Sequence, residues 1–271
     1  MSMRVLLTGA AGSIGRTLSL GLSDRGHQVV GLDVLPAPEG YHGLWHTADC
    51  TDVDAVHDAF DAASTGPIDA VVHLAGIPHE SSLPEALTSH VVSTGVLLDA
   101  MVAHDISRMV FASSNHAVGR TPRSDLLEVG VPPRADTFYG TAKVAAEALL
   151  QLYADRHGLD AIACRIGSFT ERPENARALS TWLSPDDCVR MVDAALTAPA
   201  PGFAVLYGIS ANTRGWWDLE PGRRLGYEPA DDAEEFAADV PASEQDHADA
   251  AYVGGPYALD AFYRPAVDRQ S

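Results

Sequence analysis

Lysine is almost missing from this 271-residue chain: a single lysine, Lys143, stands against seventeen arginines. Basic residues as a class are scarce too, eighteen against thirty-seven acidic ones, and the formal charge of −19 opposes binding to phosphate backbones or anionic bilayers. No basic run offsets that field, so neither a nucleic acid nor a membrane is expected as a partner. Cysteine is limited to Cys50, Cys164 and Cys188, far apart and without metal-ligand spacing. That argues against a disulfide framework or a cysteine metal site and leaves three reduced, mostly buried thiols as the expectation. The opening Met3-Arg4-Val5-Leu6-Leu7 reaches a glycine-rich loop by Gly9, leaving no room for a signal peptide, and no apolar stretch approaches membrane-spanning length. A cytoplasmic location is expected.

What is present describes an ordinary globule, 46% hydrophobic with a mean hydropathy near zero. Short apolar runs alternate with helix-length segments: Val5-Leu6-Leu7, then 13 to 25; Val29-Val30-Gly31-Leu32; Ala70-Val71-Val72-His73-Leu74, then 83 to 104; Met109-Val110-Phe111-Ala112; a helix from about 139 to 157; Ala161-Ile162-Ala163. Continuous apolar strands separated by helices mean a parallel sheet covered on both faces, so the fold class expected is α/β, a doubly wound parallel sheet of the Rossmann-like kind. Beyond 167 the alternation weakens. A helix over 185 to 197, opened by Ser184 and Asp187 as capping residues, precedes one more strand, Ala204-Val205-Leu206-Tyr207. The expected division is a dinucleotide-binding region over 1–167 and a small substrate-binding region over 168–271, integrated in a single domain. The acidic stretch from 231 to 249 reads as a solvated surface.

The segment Thr8-Gly9-Ala10-Ala11-Gly12-Ser13-Ile14-Gly15 follows the first strand and opens the first helix. Turns without side chains let the backbone approach a pyrophosphate, and a helix N-terminus offers unpaired N–H groups and positive partial charge. Asp33 ends the second strand, where a carboxylate accepts both hydroxyls of an adenosine ribose and repels a 2′-phosphate; neither Val34 nor Leu35 supplies a cation to reverse that. NAD is therefore favoured over NADP. Asp49 has two readings, an acceptor for the adenine amino group or a loop acid and helix cap. Leu74-Ala75-Gly76 places small residues where the backbone must lie close to a cofactor.

Tyr139 and Lys143 stand four residues apart on one helix and share a face. A cation beside the phenol is expected to lower its pKa from about 10 and make Tyr139 a proton acceptor. Taken alone, the spacing equally describes an ordinary surface helix.

Together these features, with a serine ending the fifth strand, resemble the extended short-chain dehydrogenase/reductase family over residues 3 to about 197. Within it, Phe111-Ala112-Ser113-Ser114-Asn115-His116, Arg165-Ile166-Gly167-Ser168, Arg177, Leu179-Ser180-Thr181-Trp182 and Gly215-Trp216-Trp217-Asp218 look like NAD-dependent uronate dehydrogenases. The resemblance implies that Ser114 hydrogen-bonds the reacting hydroxyl, Tyr139 removes its proton and Lys143 holds the nicotinamide ribose. Along the cofactor it implies Gly9, Ala11, Gly12, Ser13, Ile14, Gly15, Asp33, Asp49, Cys50, Leu74, Ala75, Gly76, Tyr139, Lys143 and Ile166. Asn115, His116, Ser168 and Arg177 would line the sugar pocket with Ser114 and Tyr139, the Arg177 fork binding a hexuronate carboxylate. Two of these have plainer readings, Arg177 as a solvated loop arginine and His116 as a packed histidine that positions Asn115.

The chain departs from the uronate dehydrogenase pattern at Pro78, where a serine is usual, and from the wider family at His90, where asparagine is usual. The activity implied is oxidation of D-galacturonate or D-glucuronate at the anomeric carbon to an aldarolactone. The competing readings are a nucleotide-sugar epimerase or dehydratase, disfavoured by the short stretch after Ser168, and a dinucleotide-binding sensor without turnover. Apolar faces on the helices at 83 to 104 and 139 to 157 imply a homo-oligomer.

Overall fold

The computed structural model describes residues 2–61, 66–241, 243–244 and 246–267, with the backbone alone at 247 and 248. Strands β1 (Arg4–Thr8), β2 (Gln28–Asp33), β3 (Leu44–Thr47), β4 (Ala70–His73), β5 (Arg108–Ser114), β6 (Asp160–Ile166), β7 (Ser168–Phe169), β8 (Trp182–Leu183) and β9 (Phe203–Gly208) follow one another along the chain. β7 and β8 pair as a separate ribbon; the others form one seven-stranded sheet in the order β3-β2-β1-β4-β5-β6-β9, parallel at every pairing. Among the helices are α1 (Ser13–Asp24), α2 (Val53–Asp61), α3 (Leu83–Leu87), α4 (Ser93–Ala103), α5 (Phe138–His157), α6 (Ala178–Thr181) and α7 (Pro185–Thr197). The expected doubly wound parallel sheet is the one that forms.

The strands are apolar at successive positions because both faces of the sheet are covered. Along β1, Val5 and Leu7 meet the layer of α1 and α7, with Leu18, Leu22, Cys188 and Met191, whereas Leu6 meets that of α2, α4 and α5, with Phe60, Leu98 and Leu150. All three cysteines are free and buried, and burial pushes the thiols of Cys50 and Cys164 up to about 12. Strand order reverses between β1 and β4, so the connections leave on opposite faces and a crevice opens beyond the C-terminal ends of these strands.

Several elements differ from the sequence expectation. α2 has no counterpart in it. The helix expected over 83–104 is continuous, Leu83–Ala103, but carries one π-turn at Thr88–Val92 between α3 and α4. At 21 residues and a hydropathy of 1.4 that helix does reach membrane-spanning length and composition, because uncharged polar residues such as Thr88 and Ser89 lower hydropathy little. It is a core helix here, with Leu97, Leu98, Ala100 and Met101 fully buried. Ser184 caps α7, accepting from Asp187 N at 2.9 Å, but Asp187 faces elsewhere. Its buried carboxylate accepts from Ala230 N and Asp231 N at 2.9 and 3.0 Å and pairs with Arg190, tying α7 to the C-terminal segment. Part of the acidic stretch is likewise engaged, since Asp232 holds Thr213 and Glu234 holds Arg214. Residues 242 and 245 of that stretch lie outside the described residues.

Candidate active site

A cavity of about 1080 Å³ occupies the crevice, at the upper end of the range of roughly 300–1,000 Å³ for small-molecule and cofactor sites. Every residue expected along the cofactor lines it: Gly9, Ala11, Gly12, Ser13, Ile14 and Gly15 from the first loop, Asp33 from β2, Asp49 and Cys50, Leu74, Ala75 and Gly76 beyond β4, Tyr139 and Lys143 on α5, and Ile166 of β6. Gly9 turns the chain at φ +68°, and a Cβ there would lie 2.8 Å from Ala75 N, so the loop after β1 and the loop after β4 meet through bare backbone. Asp33 is fixed by two main-chain donors, Ala11 N at 2.9 Å and Leu35 N at 3.0 Å. Asp49 accepts from both the N–H and the hydroxyl of Thr51 at 2.8 Å, which is its loop-acid role.

These residues fit a dinucleotide. Gly12 caps α1 without a side chain, and the first turn of that helix holds no acidic residue, so its main-chain donors face the cavity beside the Arg16 that also lines it. The Asp33 carboxylate, followed by the exposed Val34 and Leu35, supplies hydroxyl acceptors, and the cation at this end of the cavity is Arg16, whose Nε donates to Ala11 O at 2.7 Å.

At the far end Ser114, Tyr139 and Lys143 line the same cavity. Lys143 is 3% exposed; its Nζ donates to Ala112 O at 2.7 Å and lies 5.4 Å from the Tyr139 ring centre and 4.8 Å from that of Phe111. One turn further along α5, the buried Glu147 pairs with Arg165 of β6 at 2.8 Å and accepts from Ser113 of β5 at 2.5 Å, locking the helix to the sheet. The electrostatics differ from the sequence expectation. Burial pushes the Tyr139 phenol up to about 12, with Ser114 pulling the other way, and pushes the Lys143 amine down to about 7 against the pull of Glu147. A lowered phenol was expected from the cation alone; the desolvation that outweighs it was not visible in the spacing.

Two histidines next to this pair are held neutral, their pKa values lowered to about 3 mainly by burial and secondarily by Lys143. His73 Nδ1 bonds Thr8 Oγ1 at 2.7 Å. His90 Nε2 donates to Ile77 O at 2.9 Å, leaving Nδ1 buried without a partner among the described residues, and its ring meets Tyr139 edge-on at 5.2 Å. His90 sits inside the π-turn.

The four residues expected only on the sugar are placed differently, outside the lining of the large cavity. Asn115 is buried next to Ser114. His116 Nδ1 bonds the Asp136 carboxylate at 2.8 Å, and its ring stands edge-on to Tyr139 at 6.0 Å and to Tyr257 at 5.1 Å. Ser168 Oγ bonds Thr181 Oγ1 at 2.9 Å. Arg177 donates to Val253 O at 2.8 Å and lines a second, smaller cavity of about 220 Å³ with Trp216 and Asp249; burial lowers its pKa, while Asp136 first, then Asp249 and Tyr257, raise it. Sequence reasoning missed Arg16, Glu80, Asp136 and Tyr257. Glu80, Asp136 and Tyr257 take their places through contacts distant in sequence, whereas Arg16 directly follows the glycine loop and bonds Ala11 O within it.

Known proteins share the sequence and the fold over most of the chain. The uronate dehydrogenase of Pseudomonas putida is 35% identical over 94% of this chain and 96% of its own, and that of Agrobacterium fabrum 38% identical over 86% of each. A crystal structure of a mutant uronate dehydrogenase from Agrobacterium tumefaciens complexed with NAD superposes with a TM-score of 0.88 at 34% identity, covering 98% of this chain and 100% of that one. The description of the NAD dependent epimerase/dehydratase family matches residues 5–170, from β1 through the whole of the crevice to the end of β7. With that span and those relatives, the chain belongs to the NAD dependent epimerase/dehydratase family.

Proposed function

We propose that the protein oxidises the cyclic form of a hexuronate, D-galacturonate or D-glucuronate, at the anomeric carbon with NAD, giving an aldarolactone. The observation that carries this reading is the meeting of Ser114, Tyr139 and Lys143 at one end of a cavity whose other end holds Asp33 and the glycine loop. Residues 1–167 then serve the dinucleotide and 168–271 the sugar. The uronate dehydrogenase relatives support the substrate class.

NAD, when bound, supplies the hydride acceptor. Ser114 accepts from His116 N at 3.2 Å and donates to Asn115 Oδ1 at 3.4 Å, a long bond that it gives up to donate to the reacting sugar oxygen. Tyr139 takes the proton of that sugar hydroxyl. Burial keeps the phenol protonated at rest, so Tyr139 acts as base only once its own proton has passed on, and Ser114 favours the phenolate form. Lys143 exchanges that proton readily because its pKa of about 7 lies near neutrality. A general base contributes roughly 10² to 10⁴ in rate, and preorganisation of the three side chains against the sugar contributes the rest. The roles proposed for Arg177, on the uronate carboxylate, and for Asn115, His116 and Ser168, on the ring hydroxyls, require the sugar to reach past the lining of the large cavity, outside which all four lie. His116 is pinned for that task by Asp136.

Three free, buried thiols support a cytoplasmic enzyme. The exposed Val92 and Leu152, on the helices expected to pair, support a homo-oligomer. A panel of free uronates, neutral aldoses and UDP-sugars, read by NADH absorbance, tests the function: steady NADH formation with galacturonate or glucuronate is expected. Turnover confined to UDP-sugars without net NADH would replace the reading with epimerisation.

A further inference from the structure

The first turn of α5 leaves the main-chain N–H groups of Phe138, Tyr139 and Gly140 without helical partners. Thr137 Oγ1 accepts the Gly140 donor at 2.9 Å. The other two go to a residue almost sixty positions earlier: Glu80 Oε1 accepts from Phe138 N and Glu80 Oε2 from Tyr139 N, both at 2.9 Å. A carboxylate bonded through both oxygens to consecutive peptides fixes the turn at two points, and therefore its rotation as well as its position. Both points lie on the N-terminal side of the Cα from which the Tyr139 phenol projects, and the second, Tyr139 N, is bonded directly to it.

Glu80 closes the segment that leaves β4, and five residues of that segment, Leu74, Ala75, Gly76, Ile77 and Pro78, wall the large cavity. The same segment is held from the other side by His90, whose Nε2 donates to Ile77 O and whose ring packs edge-on against the phenol. The cavity wall and the backbone of Tyr139 are thus one mechanical unit, joined through Glu80. Thr137 already caps this turn at Gly140, so the two Glu80 bonds come in addition to a side-chain cap.

From this geometry we propose that Glu80 is a positioning residue, one that sets where the Tyr139 hydroxyl sits relative to the sugar hydroxyl it deprotonates. The proposal rests on the proposed role of Tyr139 as base. It does not depend on which sugar is the substrate. Glu80→Ala releases both peptides; Glu80→Gln retains one acceptor oxygen and loses the second bond.

The test compares Glu80→Ala, Glu80→Gln and Thr137→Ala in the full chain, on whichever substrate of the panel the wild type turns over. Thr137→Ala removes a cap from the same turn without touching the Tyr139 peptide. All three are expected to lower the unfolding midpoint by a similar few degrees. Glu80→Ala is expected to lower kcat by roughly 10- to 100-fold, as displacement of a reacting group by about 1 Å does. NAD affinity and sugar KM should stay within about threefold, since binding groups are untouched. Glu80→Gln should fall between wild type and Glu80→Ala, and Thr137→Ala should keep kcat within about threefold. Equal kcat losses in Thr137→Ala and Glu80→Ala at equal loss of midpoint would reduce Glu80 to a helix cap, as would a kcat near wild type in Glu80→Ala. Should Glu80→Ala not fold, Glu80→Gln against Thr137→Ala decides by the same criterion.

Discussion

The walls of the large cavity next to β1, β2 and β4 are main chain and small residues, held by strand pairing and by close contact between the loops at Gly9 and Ala75. The region around Arg177 and His116 is held by long side chains bonded to distant backbone: Arg177 to Val253 O, Arg120 to Ala258 O, Trp217 to Ser180 O, Asp187 to Ala230 N and Asp231 N. The first kind of wall tolerates variation at most positions and fails where a Cβ intrudes. The second is adjustable residue by residue, because each side chain sets one contact. A shared cofactor and divergent sugars within one family are what such a division produces.

The comparison is broken most severely at the boundary between the two regions. Tyr139→Phe removes the proposed base and leaves the main-chain wall intact, so kcat should fall by about 10² to 10⁴ while NAD binding, followed by fluorescence titration, stays near wild type. A parallel loss of NAD affinity would mean that the phenol belongs to the cofactor wall. Arg177→Met addresses the side-chain region: KM for the uronate should rise by about 10- to 100-fold, the cost of one charge-assisted bidentate contact, with KM for NAD unchanged. An unaltered uronate KM would leave Arg177 as a strut for Val253.

The smallest effect is on stability. Lys143 has a pKa of about 7 in the folded chain against about 10.4 when unfolded. Between those values the unfolded chain binds the extra proton, so stability rises with pH across this window, and the cost of burying the ammonium is complete below it. Thermal midpoints of Lys143→Met and wild type, measured from pH 6 to 10, should therefore differ most in favour of the variant at pH 6 and converge upward. A gap that widens with pH would contradict the buried ammonium.

The parallel sheet was legible because strands covered on both faces are apolar at every position, as Val5-Leu6-Leu7 and Val71-Val72 are, and because helices of regular length separate them. The lining of the crevice was legible for a related reason: glycine loop, Asp33 and Leu74-Ala75-Gly76 all sit at strand ends, where order along the chain already fixes place. The π-turn at Thr88–Val92 was not, since its residues have the same pattern as the helix on either side. Beyond Gly208 little was readable, because Asn212 and Trp217 settle through bonds to β8 and α6, and Trp216 by stacking on Trp217, rather than through any period. Glu80 gave no local signal at all. The direction of the Tyr139 shift failed for the same reason, since burial is a property of the assembled site.

The scarcity of lysine has a practical side. The α-amino group apart, Lys143 is the one amine in the sequence, and at a pKa of about 7 roughly half of it is unprotonated, hence nucleophilic, at neutral pH. An acylating reagent small enough to enter the crevice has a single side-chain target, at its floor, and the mass of one acyl group counts accessible sites. Blocking of that label by NAD would give an occupancy assay without a substrate, and amine coupling to a surface would proceed from the chain terminus with the crevice left open.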